Sequence, residues 1–256
     1  MRPSALAALL QALPADKVAA VRALHGRLAI DSAWCATQPP GIPGRPERPH
    51  LVEPSKVKSR SPNTMAGRAA LIHSLAHIEF NAINLALDII WRFDGMPEQF
   101  YQDWAGVARD EADHFILLVA HLRSMGHEYG DFPAHDGLWE MAERTSQDLL
   151  ARLALVPRTL EARGLDASPP IRSKLAAAGD MRGAGILDII LRDEIGHVAI
   201  GNKWYGHVCR QRSLDPIAQY RELARRYRAP RLRGPFNMQA RRAAGFSEAE
   251  LEALHE

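Results

Sequence analysis

Cysteine is nearly missing. Cys35 and Cys209 are the two in 256 residues, and they form no Cys-x-x-Cys pair. A disulfide framework and a zinc ribbon are thereby excluded. No apolar run approaches the roughly 20 residues needed to span a bilayer. Neither charge sign dominates, with 32 basic against 30 acidic residues, so no global field demands a nucleic acid or membrane partner. Gly-x-Gly-x-x-Gly and flavin-type motifs are absent. Sustained period-two alternation is also absent between residues 64 and 212, which argues against strands there.

What the chain does have is helical patterning. Residues 1 to about 30 read as two short helical stretches parted by Pro14. Their apolar start is interrupted by Gln11 and Pro14 and followed by Asp16, so it reads as a surface helix rather than an export signal. A soluble cytoplasmic protein is expected. Residues 38–63 hold seven prolines, which forbid regular structure and suggest an extended strap over the surface. Four long helices are expected next, at about 64–94, 97–126, 138–163 and 170–212. Asn63 or Thr64 caps the first, Gly95 ends it, and Gly164 with Ser168-Pro-Pro resets the chain before the fourth. The expected architecture is all-α: a four-helix bundle over 64–212, preceded by the N-terminal segment 1–63 and followed by an extension, 213–256.

The apolar stripes of these helices carry the chemistry. The first contains Ile72, Leu75, Glu79, Ala82, Ala86 and Ile89. The second contains Trp104, Val107, Glu111, His114 and Leu118, and the fourth Leu187, Ile190, Glu194, His197 and Trp204. Each stripe should face a core. Three ionised carboxylates in a shared interior would repel each other and would mostly be protonated without a cation. Glu and His three positions apart on a helix can reach the same ion. Arg-Asp-Glu-x-x-His occurs twice, at 109–114 and 192–197. Two such pairs, with a glutamate from each remaining helix, make a dinuclear carboxylate site. Asp110 and Asp193 are then expected to accept the free ring N–H of a ligand histidine.

The fourth carboxylate stays open at this level. The third helix offers Glu140, Glu143, Asp148 and Glu161, and Glu161 lies one position off the stripe Leu149, Leu153, Val156, Leu160. Pro157 should bend that helix and shift its phase there. His73 and His77 share a face and read as supporting or packing groups, His77 beside the site. His121, Trp204 and Tyr205 read as core.

These motifs give the sequence a resemblance. With His73-Ser-Leu-Ala-His77-Ile-Glu79, the two Arg-Asp-Glu-x-x-His elements, the stretch from Leu155 to Asp166 and Gly234-Pro-Phe-Asn237, the chain resembles the ferritin-like superfamily. Within it, the chain is most similar to a bacterial family of uncharacterised function. It is distantly similar to the di-iron tRNA hydroxylase that acts on a prenylated adenosine. The resemblance implies Glu161 as the fourth carboxylate, because such ligands precede the fourth-helix glutamate by roughly 30 residues.

The expected metal set is therefore Glu79, Glu111, His114, Glu161, Glu194 and His197, holding two ions, iron before manganese. The expected activity is dioxygen-dependent oxidation or hydroxylation of an organic substrate, with electrons from a separate donor. The alternative is a non-catalytic iron-handling or metal-binding protein. Residues 221–242 hold eight arginines against Glu222, a local charge of +7. Pairing within the chain or at a homodimer interface ranks first for this tail. Phosphate contacts of a nucleic acid through Arg225, Arg226 and Arg228 rank second.

Overall fold

The computed structural model describes residues 1–24, Trp34, 37–58 and 60–255. Among these residues every regular element is helical, apart from an isolated bridge between Leu51 and Ala134. The chain divides into two compact units, Met1–Trp139 and Glu140–Glu256. This division differs from the three segments marked by composition. The N-terminal helices and strap belong with the first long hairpin, and the basic extension belongs with the second.

In the first unit, α1 (Arg2–Leu9) and α2 (Pro14–Arg22) are the two expected short helices. The last residues expected to be helical, 25–30, lie outside those described, as does Cys35. Long basic side chains do interior work here. The buried Arg2 guanidinium donates to the carbonyls of Trp34 and Trp91. Lys17 is also buried and donates to the Leu9 carbonyl at 2.7 Å. Burial, with Arg45 nearby, pulls its ammonium down to about 7.

The strap is irregular, as its prolines require, with a single 3₁₀ turn at Pro54–Lys56. It is laced down by backbone hydrogen bonds, from Gly44 N–H to Leu9 O at 2.9 Å and from Val52 N–H to Ala134 O at 2.8 Å. Gly44 is required by this approach, since a Cβ there would stand 2.2 Å from the Leu10 carbonyl oxygen.

The centre of this unit is a helical hairpin, α3 (Met65–Arg92) and α4 (Glu98–Ser124). Thr64 begins α3, its hydroxyl accepting from Gly67 N–H at 3.0 Å. Gly95 turns the connection at φ +69°. Tyr101 pins that turn by donating to Phe93 O at 3.1 Å and accepting from Met96 N–H. So short a link makes the two helices antiparallel neighbours. Ile72, Phe80, Ile83, Trp104, Phe115 and Leu118 fill the core.

In the second unit the expected third helix is broken and longer than expected. α5 (Gly137–Arg144) leads in, and α6 (Leu149–Leu155) follows behind an Asp148 cap. The chain then widens into a π turn, Val156–Glu161, before α7 (Ala162–Ala177). Pro157 lacks an N–H and its ring crowds the carbonyl four residues back, so the wider turn makes room. The Thr159 hydroxyl takes up the Ala154 carbonyl at 2.9 Å. The phase shift expected at Pro157 is thus present.

The reset expected at Gly164 and Ser168-Pro-Pro does not occur. α7 runs straight through Pro169 and Pro170, and the turn comes at Gly179 (φ +81°). α8 (Met181–Gln211) starts there, capped by Asp180, whose carboxylate accepts from Gly183 N–H at 2.8 Å. Pro169 is tolerated because the orphaned carbonyl has another donor. A proline four residues on leaves Leu165 O without its helical N–H. Asn237 Nδ2, from the tail, donates to that oxygen at 3.2 Å.

The rest of the tail folds onto the same unit through α9 (Pro216–Arg226), α10 (Met238–Ala243) and α11 (Glu248–Glu252). Ala240 and Ala244 pack in one apolar cluster with Ala162, Leu165 and Val198. Arg241 forks onto Asp166, at 3.1 and 2.6 Å. Ser247 and Glu250 form the capping box of α11. For Arg241 and Arg242, the latter paired with Glu248 at 2.6 Å, the tail's charge is therefore answered within the chain.

Asn237 also caps α10, its Oδ1 accepting from Ala240 N–H at 3.2 Å. Asn237→Ala loses that cap and leaves Leu165 O unsatisfied, and should cost about 2 kcal/mol. Thermal unfolding followed by circular dichroism should show Tm lower by about 4–8 °C. Asn237→Asp, which keeps the cap but not the donor, should recover only part of the loss.

Candidate metal centre

Antiparallel pairing sets the depth of the acidic groups in the first unit. Glu79 lies thirteen residues before the end of α3, and Glu111 thirteen after the start of α4. Both therefore sit about 20 Å along their helices from the shared turn. Their stripes bring Glu79 (4% exposed), Glu111 (0%) and His114 (1%) together. His114 Nδ1 is 3.2 Å from Glu79 Oε2 and 3.4 Å from Glu111 Oε2. One ligand atom from each of the three lies within 4.8 Å of the others. This buried group of glutamate and histidine could bind a metal ion.

Electrostatics shows what burial costs. Burial raises the Glu79 carboxyl well above the usual range, and the charge of Glu111 raises it further. Burial pulls the His114 imidazole down, but hydrogen bonds and charge from Glu111 and Glu79 outweigh this and take it up to about 11. Both shifts have one meaning: without a cation the group retains protons at neutral pH.

The second unit carries the repeated element on α8. Glu194 and His197 are buried, and His197 Nδ1 is 3.7 Å from Glu194 Oε1. In both copies the same ring nitrogen turns towards the glutamate of its own pair. Glu161, half-buried, ends the π turn. Its register follows from its neighbours. A Cβ on Gly201 would lie 2.6 Å from Pro157 Cβ, and Arg158 Nε donates to Asn202 Oδ1 at 2.5 Å. Antiparallel pairing of 157 with 201 puts position 161 level with 197.

The competitors of Glu161 are placed elsewhere. Asp148 caps α6, accepting from Leu150 and Ala151 N–H. Glu140 pairs with Arg144 on the surface, and Glu143 is exposed. Of the residues expected to support a ligand histidine, Asp110 is exposed and Asp193 forks onto Arg192 at 2.8 and 3.0 Å.

His77 departs from expectation. Two positions from Glu79, it is turned about 200° around the helix. Its Nδ1 is 2.9 Å from the Tyr129 hydroxyl, and its Nε2 is 3.2 Å from His135 O. Asn81 Nδ2 also lies 3.0 Å from Nε2. His73 accepts from Gly130 N–H at 2.9 Å and stacks on Tyr129. The two histidines therefore fasten the loop after α4 to α3. His121 and Trp204 are buried, and Tyr205 donates to Pro216 O at 2.7 Å.

The buried Arg158, Arg241 and Lys17 were missed from the sequence. Periodicity assigns charged residues to the surface, and no local motif marks these three as interior.

An all-α chain with a buried carboxylate and imidazole group in a long hairpin has relatives. The chain belongs to a family described as "Protein of unknown function (DUF455)", matched over residues 10–252. It is 50% identical over 218 residues to an uncharacterized protein of Haemophilus influenzae, covering 82% of this chain and 76% of that one. No solved structure matches. Among the described residues no helix is long and apolar enough to cross a membrane.

Burial pulls the His73 and His77 imidazoles down to about 4. The unfolded chain thus binds both protons first, near pH 6.5. Their contribution to stability is intact above that pH and is lost as pH falls towards about 4. The slope reaches about 2.7 kcal/mol per pH unit. Urea unfolding of the wild type and of His73→Gln across this window isolates one imidazole, and the variant's slope should be lower by about 1.4 kcal/mol per pH unit.

Proposed function

We propose that this chain is a ferritin-like carboxylate metalloprotein that uses dioxygen to oxidise or hydroxylate an organic substrate. In this reading its helices form a four-helix bundle around two ions, iron before manganese. Glu79, Glu111 and His114 supply one half of the ligand set, and Glu194, His197 and Glu161 the other. The observation that carries the reading is the convergence of Glu79, Glu111 and His114 in a dry core.

The donor set fits such ions. Carboxylate oxygen and imidazole nitrogen suit iron or manganese better than thiolate-preferring metals. Two carboxylates buried against one imidazole gain most from a divalent charge, which displaces the protons they otherwise hold. The repeat of Arg-Asp-Glu-x-x-His on α8, with its ring nitrogen in the same relation to its glutamate, supports a second half of the same design.

Iron held there would supply the electron transfers that dioxygen chemistry needs. The chain's own part is to fix the donors on rigid helices and to exclude water with the apolar residues around them. The chain lacks a nucleotide- or flavin-type motif, so the reading assigns electron supply to a separate reductase.

Elemental analysis of protein purified from iron-replete cells should give about two metal ions per chain. Glu111→Ala and His197→Ala should each take the content below about one. Full metal content in both variants would overturn the ligand assignment. Mixing the ferrous protein with dioxygen then separates the roles. Oxygen uptake coupled to oxidation of an added organic compound supports the enzyme. Deposition of many oxidised irons per chain supports iron handling instead.

A further inference from the structure

The basic extension carries charge that its own fold leaves unanswered. Between Arg225 and Arg233 stand five arginines and no acidic residue. All five are exposed, and none has an ion-pair partner among the described residues. Pairing within the chain, the first expectation for this tail, accounts for Arg241 and Arg242 but not for these.

Part of that charge is shaped into a groove of about 460 Å³, lined by Arg144, Arg226, Tyr227 and Arg228. Arg144 comes from the last turn of α5, and the other three from the end of α9. Glu140 holds Arg144 at 3.6 Å, whereas Arg226 and Arg228 line the groove with no carboxylate bound to them among the described residues. Arg226 lies over the half-buried Tyr227 ring, 5.4 Å from its centroid, and Asp148 stands beside the Tyr227 hydroxyl.

The backbone singles out Arg228. α9 closes with Ala229 N–H on Ala224 O at 2.8 Å and Arg228 N–H on Arg225 O at 3.2 Å. Glycine normally fills the left-handed position of such a closure, because a Cβ is crowded there. Here it is an arginine at φ +51°. The helix dipole favours Arg225 and Arg226 in the last turn without any ligand. Arg228 lies past that turn on strained backbone, and strain kept where glycine would relieve it is a mark of function.

The chemistry of the groove selects its partner. No lysine follows Lys203, and guanidinium forks meet phosphate oxygens in pairs as ammonium groups do not. An aromatic ring beside them offers a stacking face to an unpaired base. A lipid surface would instead call for apolar side chains to insert. The exposed large apolar residues, Leu10, Leu13, Leu51, Met65, Ile78 and Met181, all precede the extension. We propose that this groove binds a single-stranded nucleic acid, with Arg226 and Arg228 on backbone phosphates and a base against Tyr227. The site needs no metal, so its test is separate from that of the oxidase reading.

Fluorescence anisotropy of the full chain with labelled oligo(U) and oligo(dT) of about 12 nucleotides tests it. At least one should bind saturably at about 50 mM salt, and a preference between them identifies the sugar recognised. Affinity should fall with salt along a log–log slope of about −1.4 or steeper, the value for two phosphates. Arg228→Gly relieves the turn, so its Tm should not fall, yet its affinity should drop at least about fivefold and its slope flatten by about 0.7. Tyr227→Ala should weaken binding at least about fivefold with the slope unchanged, and Tyr227→Phe should restore it.

Absence of saturable binding by both oligonucleotides would overturn the proposal, and so would wild-type affinity in the folded Arg228→Gly variant. A duplex bound as tightly as the single strands would overturn the stacking of a base on Tyr227. Capture by phosphatidylserine vesicles that Arg228→Gly abolishes, with no oligonucleotide bound, would give the groove to a lipid surface instead.

Discussion

Burying a carboxylate is among the most expensive things a helical core can do, and the first hairpin does it twice at one level. Glu79 and Glu111 sit at matching depths because a five-residue link holds α3 and α4 antiparallel. His114 gives local relief, its ring nitrogen lying within reach of both. Apolar side chains at these positions would pack at no such cost, so the hairpin's stability is tied to whatever neutralises the group. The proposed cations follow from that constraint, and so does the placement of the group in the middle of the helices, away from frayed ends.

Elsewhere the same economy operates with guanidinium and ammonium groups. Arg2, Lys17, Arg152, Arg158 and Arg241 are all buried, and each donates to backbone carbonyls or to acidic and polar side chains. Several answer irregularities in the backbone. Arg152 bridges the break before α6 by bonding Thr145 Oγ1 and the Ala142 carbonyl. Arg241 fixes Asp166, one residue beyond the carbonyl that Pro169 orphans. Fixed forks of donors suit this work, because one planar group satisfies several acceptors at set angles.

Much of this is legible in the amino-acid sequence, for identifiable reasons. Thr64, Gly95 and the three-four spacing between them and Gly126 define the first hairpin, because caps and apolar stripes are local signals. The repeated Arg-Asp-Glu-x-x-His is likewise local, and its glutamates and histidines are buried as their stripes imply. Pro157 betrayed a phase shift for the same reason. Pro169-Pro170 misled, since the donor that rescues the helix there lies 72 residues away, at Asn237. His77 misled for a subtler cause: two positions along a helix is nearly the opposite face, so proximity in sequence to Glu79 meant distance around the cylinder. Local rules carry information only as far as a turn or two, and the tail's contacts with α7 and α8 are all longer than that.

The long reach of Asn237 has a bearing on biosynthesis. When α7 leaves the ribosome, the amide that will cover its exposed Leu165 oxygen has not yet been translated. A nascent chain halted anywhere before residue 237 must leave that oxygen to water, so the last twenty residues act as a late-arriving seal on a helix made long before them.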